Sequence, residues 1–195
     1  MKKYTEREYP AIASLPDQPS QDTRSKTIII ITKYKLEYNQ EECIAYVRAD
    51  EDVVCPICGN GAMKQKGRRK RNVRTSDGIK QKLSVRHLKC KGCGKTHREL
   101  PDIVVPYKQE CAETIEKVIN GDTAEVGCED STINRIKAWW SNIMPYIRSV
   151  LLSIREKHSI AIELGEMGGI KLRQIVRALV NTHLWPSAQS VLAPG

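Results

Sequence analysis

Four cysteines stand in two pairs of the form Cys-x-x-Cys, at Cys55–Cys58 and Cys90–Cys93, with 31 residues between the pairs. Two intervening residues place both sulfurs of a pair on one side of a tight turn, where they occupy two corners of a tetrahedron. Gly59 and Gly94 follow the pairs and tolerate the positive φ that turns backbone N–H groups toward sulfur. The spacing therefore predicts a four-thiolate Zn²⁺ site. Because no ligand position is open to water or substrate, this zinc is expected to be structural.

Other histidines and cysteines offer alternatives to this ligand set. His97 or His87 is able in principle to replace one thiol, although the four-cysteine set is simpler and each histidine is expected to lie at the surface or to face DNA. Cys43, Cys111 and Cys128 lack partners at ligand spacing and are predicted to be buried free thiols. Two unrelated pairs of free thiols are the alternative to a metal site.

The positive charge of the chain is concentrated between the two cysteine pairs. The 195 residues carry a formal charge of +9, yet residues 64–98 hold fourteen Lys or Arg and one acid, Asp77. The remaining 160 residues hold 18 basic and 22 acidic side chains. A local excess of this size is typical of a surface that binds a polyanion, with duplex DNA as the first candidate.

The basic segment is predicted to be a β-hairpin. Asp77-Gly78 separates two extended runs, and such a dipeptide is a strong turn signal because Gly supplies the positive φ. Two cysteine knuckles at one end and a hairpin projecting from them make a zinc ribbon. The cations predicted to contact DNA from this hairpin are Lys66, Arg68, Arg69, Lys70, Arg71, Arg74, Lys80, Lys82 and Arg86.

Helical periodicity begins after the ribbon. A helix over 107–120 ends at Gly121, a short second helix follows over 123–127, and Ser131 is a candidate N-cap for a third helix over 131–143. This order is that of a helix-turn-helix unit. Side chains on the polar face of the third helix are predicted to read the major groove, where Asn and Arg make bidentate contacts to base edges. These candidates are Ser131, Thr132, Asn134, Arg135 and Lys137.

The whole chain is predicted to be α+β, with short strands and a zinc ribbon before an all-helical part. We expect a flexible arm over 1–25, a β-rich zinc-ribbon domain over 26–106, the helix-turn-helix over 107–145 and a helical hairpin over 146–195. Residues 146–185 of that hairpin are expected to pack on the preceding domain, on a helical partner or on a second copy as a homodimer.

Residues 40–145 resemble the N-terminal region of bacterial insertion-sequence transposases, and also small bacterial proteins that share its zinc ribbon. The resemblance lies in CPICG, the basic hairpin, LKCKGCGKTHRELPDIVVPY and the Ser-Thr-Ile-x-Arg start of the third helix. It implies a module that binds terminal repeats, with the four cysteines as metal ligands and with Thr132, Asn134 and Arg135 facing DNA. In full-length transposases this module precedes a catalytic domain.

The chemistry of that catalytic domain has no counterpart in this sequence. It needs three spaced carboxylates that hold two Mg²⁺ ions, whereas after Asp130 the chain has no Asp and only Glu156, Glu163 and Glu166. No catalytic residue is therefore predicted, and the chain is expected not to be an enzyme. Alternatives are an adaptor in a larger protein or RNA assembly, and the DNA-binding subunit of a separately encoded transposase.

The N-terminal 26 residues lack an apolar core of signal-peptide type, and no apolar run reaches membrane-spanning length. The chain is therefore expected to be cytoplasmic and associated with the nucleoid, with no membrane contact. Seven cysteines in that compartment favour metal ligation or free thiols over disulfides.

Overall fold

The computed structural model describes residues 27–158 and 171–186. Within these ranges the chain is α+β, with one six-stranded sheet and three α-helices. The arm predicted over residues 1–25 lies outside the described residues, as do residues 159–170 and 187–195 of the predicted helical hairpin.

The sheet is mixed. Some strands pair with the next strand in the sequence, and others pair with strands far along the chain. The strands are β1 (Thr27–Ile31), β2 (Tyr34–Asn39), β3 (Ile44–Ala49), β4 (Met63–Arg74), β5 (Lys80–Cys90) and β6 (Thr96–Pro101). The pairs β2–β3, β4–β5 and β5–β6 are antiparallel, whereas β1–β6 and β3–β5 are parallel. Through the parallel pairs, β3 lies beside β5 of the hairpin, and β1 lies beside β6, the strand that follows the hairpin.

The basic segment forms the predicted hairpin, but the hairpin does not project from the fold. β4 and β5 pair from Met63↔Cys90 to Arg74↔Lys80, and Gly78 in the turn has φ 80°. β5 also pairs with β3 and β6, so it lies inside the sheet. The physical reason is the apolar face of β5, since Leu83 and Val85 are fully buried and need cover that an isolated ribbon does not supply.

Three α-helices follow the sheet: α1 (Ala112–Asn120), α2 (Asp130–His158) and α3 (Leu172–Asn181). A single 3₁₀ turn, Thr123–Glu125, stands where the short second helix was predicted. α1 begins five residues later than predicted, because Tyr107 has a left-handed φ of 64° and Cys111 caps the helix by accepting from the Thr114 N–H. It ends at Gly121, as predicted.

α2 continues through Pro145, where the sequence had suggested a boundary. Ile143, Ile147 and Leu151 carry one buried stripe across that position, and Pro145 itself is exposed. Burial of the stripe outweighs the loss of one helical hydrogen bond at proline. The main apolar cluster includes side chains from β1, β3, β5 and all three α-helices, so the helical part shares one core with the sheet.

α3 packs on β1 and α1. Its Asn181 side chain accepts from the Ile30 N–H at 2.8 Å and donates to the Ile30 carbonyl at 3.0 Å. The amide thereby satisfies both backbone groups of one residue in β1, which pairs with one strand only within residues 27–158 and 171–186.

The tip of the hairpin is fixed against the turn that leads into α2. The Gly127 N–H donates to the Ser76 carbonyl at 2.7 Å, and a Cβ at Gly78 would overlap the Gly127 carbonyl oxygen. Because the two backbones touch, both positions require glycine. This contact places the segment before α2 at the tip of the hairpin.

Candidate metal centre and basic surface

The two cysteine pairs adopt the same local turn. The Gly59 N–H donates to the Cys55 carbonyl at 2.8 Å, and the Gly94 N–H donates to the Cys90 carbonyl at 3.1 Å. Both glycines lie in the left-handed region, with φ of 69° and 73°. The positive φ predicted for the glycine after each pair is therefore seen in both turns, and in both the glycine N–H donates to a carbonyl oxygen.

The four sulfurs converge on one point. The Sγ atoms of Cys55, Cys58, Cys90 and Cys93 all lie within 4.8 Å of one another. Cys55 and Cys93 are 3.6 Å apart, as are Cys58 and Cys90. A tetrahedral ion with metal–sulfur bonds of about 2.3 Å separates its sulfurs by about 3.8 Å. The four cysteines predicted as ligands are thus clustered at a spacing able to hold a metal ion.

The protein environment raises the pKa of one of these thiols and lowers the pKa of another. Burial raises the pKa of the Cys55 thiol to about 12. The backbone N–H of Cys93, with a further contribution from that of Gly92, lowers the pKa of the Cys90 thiol to about 7. Metal ligation requires thiolates. Hydrogen bonds from the backbone favour the thiolate form of Cys90, whereas the thiolate form of Cys55 depends on a bound cation and on other neighbouring groups.

His97 is the closest of those neighbours. Its side chain is fully buried, so the prediction of a surface or DNA-facing position is wrong, because pairing of β6 with β1 covers the ring. Its Nε2 lies 3.3 Å from the Cys55 sulfur, and its Nδ1 is hydrogen bonded to the Thr27 hydroxyl. If Nε2–H donates to a Cys55 thiolate, Nδ1 must accept from Thr27. A donor at this place stabilises the thiolate form and joins the metal centre to β1.

We expect loss of this donor to weaken metal binding. His97→Leu should lower metal affinity by about 10- to 100-fold, the usual range for an outer hydrogen-bond partner, and Thr27→Val should lower it less. His97→Gln, which keeps an N–H donor, should recover part of the loss. Thr27→Ser keeps the hydroxyl and serves as the control for Thr27→Val. Affinity is measured by competition with a chromophoric chelator, and equal affinity for His97→Leu and wild type would contradict this role.

The nine predicted hairpin cations divide into two groups. Five are exposed: Lys66, Arg69, Lys70, Lys80 and Lys82. Three lysines outside the predicted set, Lys64, Lys89 and Lys91, are also exposed. Within the part of the chain that the structure describes, none of these eight side chains forms an ion pair. They are the cations that solvent and a polyanion can reach.

The other four predicted cations are engaged inside the protein. Arg68 donates to the Val47 carbonyl at 2.7 Å and stacks on the Tyr46 ring, and Arg71 donates to the Lys108 carbonyl. Two pairs complete the group, Arg86 with the buried Glu99 at 2.6 Å and Arg74 with Glu110 at 3.9 Å. These guanidiniums stabilise the sheet and its contacts. A contact with DNA from any of them stays a prediction.

At the start of α2, four of the five predicted side chains are exposed: Ser131, Asn134, Arg135 and Lys137. Thr132 is the exception and is 6% exposed, so the expectation that it faces DNA is wrong. Its hydroxyl accepts from the Arg135 guanidinium at 2.9 Å. Thr132 therefore positions Arg135 instead of presenting its own side chain.

Lys108 is a cation that sequence reasoning missed. Its ammonium lies 4.1 Å from the centroid of the Trp139 ring, beside the first turns of α2. A single lysine after Pro106-Tyr107 has no spacing that distinguishes it from any other surface lysine. Only the fold places it next to the predicted reading face.

Residues 55–136 match a family model described as a domain of unknown function (DUF6431). No curated protein and no solved structure matches the chain. The matched segment runs from the first cysteine of the cluster to the early part of α2, so it contains the metal centre, the basic hairpin and the exposed start of α2. Among the described residues, no helix combines the length and the apolar character that crossing a membrane requires.

Proposed function

We propose that the chain is a DNA-binding protein with a structural zinc ion, related to the N-terminal modules of insertion-sequence transposases and without catalytic activity of its own. In this proposal the hairpin holds the phosphate backbone and residues 131–143 of α2 enter the major groove. The observation that carries the proposal is the set of eight exposed hairpin and knuckle cations with no ion-pair partner in the described residues. Unpaired cations at this density repel one another, and a polyanion relieves that repulsion.

The donor set supports zinc as the metal in this proposal. Four thiolates are soft ligands, and their tetrahedral arrangement suits zinc or an iron–sulfur centre. The sulfurs lie close enough for one ion, with separations of 3.6 Å in two pairs. Zinc is the ion that most often occupies a closed four-cysteine site of this kind, and with no open position it acts on the fold and not on a substrate.

The arrangement of the helices supports a reading role for α2. α1, the 3₁₀ turn and α2 follow one another in helix-turn-helix order, and α1 packs on α2. One face of α2 buries Ile133, Ile136 and Trp140, which leaves Ser131, Asn134, Arg135 and Lys137 at the surface. Because Gly127 fixes the start of α2 to the hairpin tip, phosphate contacts on the hairpin would set the register of this exposed face on a duplex.

Salt dependence tests the proposal directly. Strand alternation divides the exposed cations between the two faces of the hairpin, so about four phosphates are expected to be neutralised at once. Affinity for duplex DNA should then fall by about a hundred-fold between about 50 and 200 mM salt. Arg69→Gln or Lys70→Gln should weaken binding to all sequences alike, whereas Asn134→Ala should relax the sequence preference found by selection from a random duplex library.

Lys33→Gln is the matched control, because Lys33 is an exposed lysine outside the basic segment. It should leave affinity and salt slope unchanged. Affinity that hardly varies with salt would overturn the proposal. A complex from cell extract that survives nuclease and contains an acidic protein would favour the adaptor alternative.

A further inference from the structure

Lys108 is held in a defined place by three contacts. Its ammonium lies over the Trp139 ring, and its carbonyl accepts from the Arg71 guanidinium. Its N–H donates to the Val105 carbonyl at 3.2 Å across Tyr107, which adopts a left-handed φ of 64° that is unfavourable for a tyrosine. The unfavourable backbone conformation at Tyr107 thus immediately precedes Lys108, whose side chain packs on α2.

Arg135 lies on the same side of α2 as this ammonium. It precedes Trp139 by four residues, and side chains four apart are neighbours on a helix surface. The Thr132 hydroxyl, one turn earlier in the helix, accepts from its guanidinium and holds the side chain at the start of α2. Two cations, one from each side of the junction between hairpin and helix, therefore lie near each other at the first turns of α2.

Among the described residues, neither Lys108 nor Arg135 forms an ion pair. Burial, and then the neighbouring Arg135, lower the pKa of Lys108 to about 8. A pair of cations brought together without an acid is typical of a site for an anionic ligand.

We propose that Lys108 and Arg135 together bind a single phosphate group of the DNA backbone at the junction between the hairpin and α2. This inference rests on the proposed function and deepens it. The Arg135 guanidinium supplies a planar donor pair, the Lys108 ammonium a point charge, and the Trp139 ring a surface that keeps the ammonium in place. Arg135 is thereby assigned to the backbone and not to a base edge, which leaves Asn134 and Lys137 to contact bases.

A double-mutant cycle on full-length, metal-loaded protein tests the site. Lys108→Met keeps the apolar stem on Trp139 and removes the charge, and Arg135→Met does the same for the arginine. Each single variant should bind duplex DNA about ten-fold more weakly, for all sequences alike, and lower the salt slope by about one. If both side chains hold one phosphate, the double variant should lose clearly less than the product of the two single losses.

The pH dependence of affinity separates a phosphate contact from a packing role. The charged neighbour of the ammonium is Arg135 on α2, whereas Arg71 on β4 contacts the Lys108 carbonyl. Since only protonated Lys108 binds phosphate, wild-type affinity should fall as the pH rises from about 7 to about 9.5. Lys108→Arg should bind as tightly as wild type at neutral pH and should not show that fall.

Three results would overturn the inference. Wild-type affinity and salt slope in Lys108→Met would remove Lys108 from the DNA contact while the proposed function stands. Fully multiplicative losses in the double variant would place the two cations on different phosphates. Failure of wild-type protein to bind duplex DNA at low salt would overturn this inference together with the proposed function. Lys33→Met, with a lysine outside the basic segment, is the matched control for loss of one charge.

Discussion

Replacement of Cys90 by serine is expected to lower the free energy of unfolding by at least about 4 kcal/mol, because it removes one of four ligands from the metal centre. None of the four cysteines belongs to the main apolar cluster, and residues 50–62 contain no helix or strand. In the proposed metal-bound form, the ion would therefore be a main tie that holds the first knuckle. For a chain of this size the loss corresponds to a fall in Tm of roughly 10 °C.

Cys90 is also the residue at which the metal centre meets the hairpin. It is fully buried and pairs with Met63 at the open end of β4 and β5. Without the metal, this end of the hairpin is expected to fray, and amide exchange should increase there before it increases at Leu83 and Val85, which the apolar cluster covers.

The matched control is Cys43→Ser, because Cys43 lies outside the cluster and is exposed in the turn between β2 and β3, so the prediction that it is buried is wrong. It should bind one metal ion per chain and unfold at the wild-type temperature, whereas Cys90→Ser should lose both properties. Thermal unfolding is followed by circular dichroism, and the metal is quantified after release. Stoichiometric metal binding and an unchanged Tm in Cys90→Ser would refute a stabilising metal centre.

Features with local causes were predictable from the sequence. The two Cys-x-x-Cys turns, the hairpin turn at Asp77-Gly78 and the end of α1 at Gly121 each depend on residues adjacent in the chain. Short-range backbone preferences determine these features, and the residue types that satisfy them are few. The clustering of the four cysteines followed from the same local turns together with the hairpin that joins them.

Features that depend on distant pairing were not predictable. His97 was expected at the surface because nothing near it indicates that Thr27, seventy residues earlier, pairs with it in a parallel strand. Likewise Arg86 looks like any other cation of the basic segment until β6 brings Glu99 beside it. Sequence patterns give the face of a strand but not its neighbours, so they overstate the number of free cations.

The uninterrupted course of α2 through Pro145 shows a further limit of predicting helix boundaries from the sequence. The sequence predicts a boundary at Pro145, but Ile143 and Ile147 continue the buried stripe across it. Burial in the tertiary structure decides such cases. Each buried isoleucine stabilises the fold by about 1.5–3 kcal/mol, whereas a proline inside a helix destabilises it by about 3 kcal/mol.

The buried pair between Arg86 and Glu99 is expected to have the second large effect. The guanidinium contacts both carboxylate oxygens, with Nε at 2.7 Å from one and the terminal nitrogen at 2.9 Å from the other. The Glu99 side chain is 1% exposed and that of Arg86 is 27% exposed. Arg86→Met leaves a carboxylate buried without its partner and should cost about 3–5 kcal/mol. Glu99→Gln should cost less, because Arg86 is able to turn toward solvent.

The pH dependence of this cost has a definite sign. Burial raises the pKa of Glu99, although Arg86 lowers it, and removal of Arg86 should raise the pKa further. A carboxyl whose pKa is raised by folding favours the folded state at low pH, and this contribution is lost as the pH rises through the folded-state pKa. The difference in unfolding free energy between Arg86→Met and wild type should therefore be smaller at about pH 5 than at about pH 7.5.

The comparison of variants distinguishes a buried ion pair from simple packing. The double variant Arg86→Met/Glu99→Met replaces both charges with apolar side chains and should recover most of the stability lost in Arg86→Met, because no unpaired charge remains. Urea unfolding of the two single variants and the double variant, at both pH values and with metal content measured, provides the data. A larger cost for Glu99→Gln than for Arg86→Met, or a cost of Arg86→Met that does not change with pH, would show that Glu99 is not the buried charge that Arg86 neutralises.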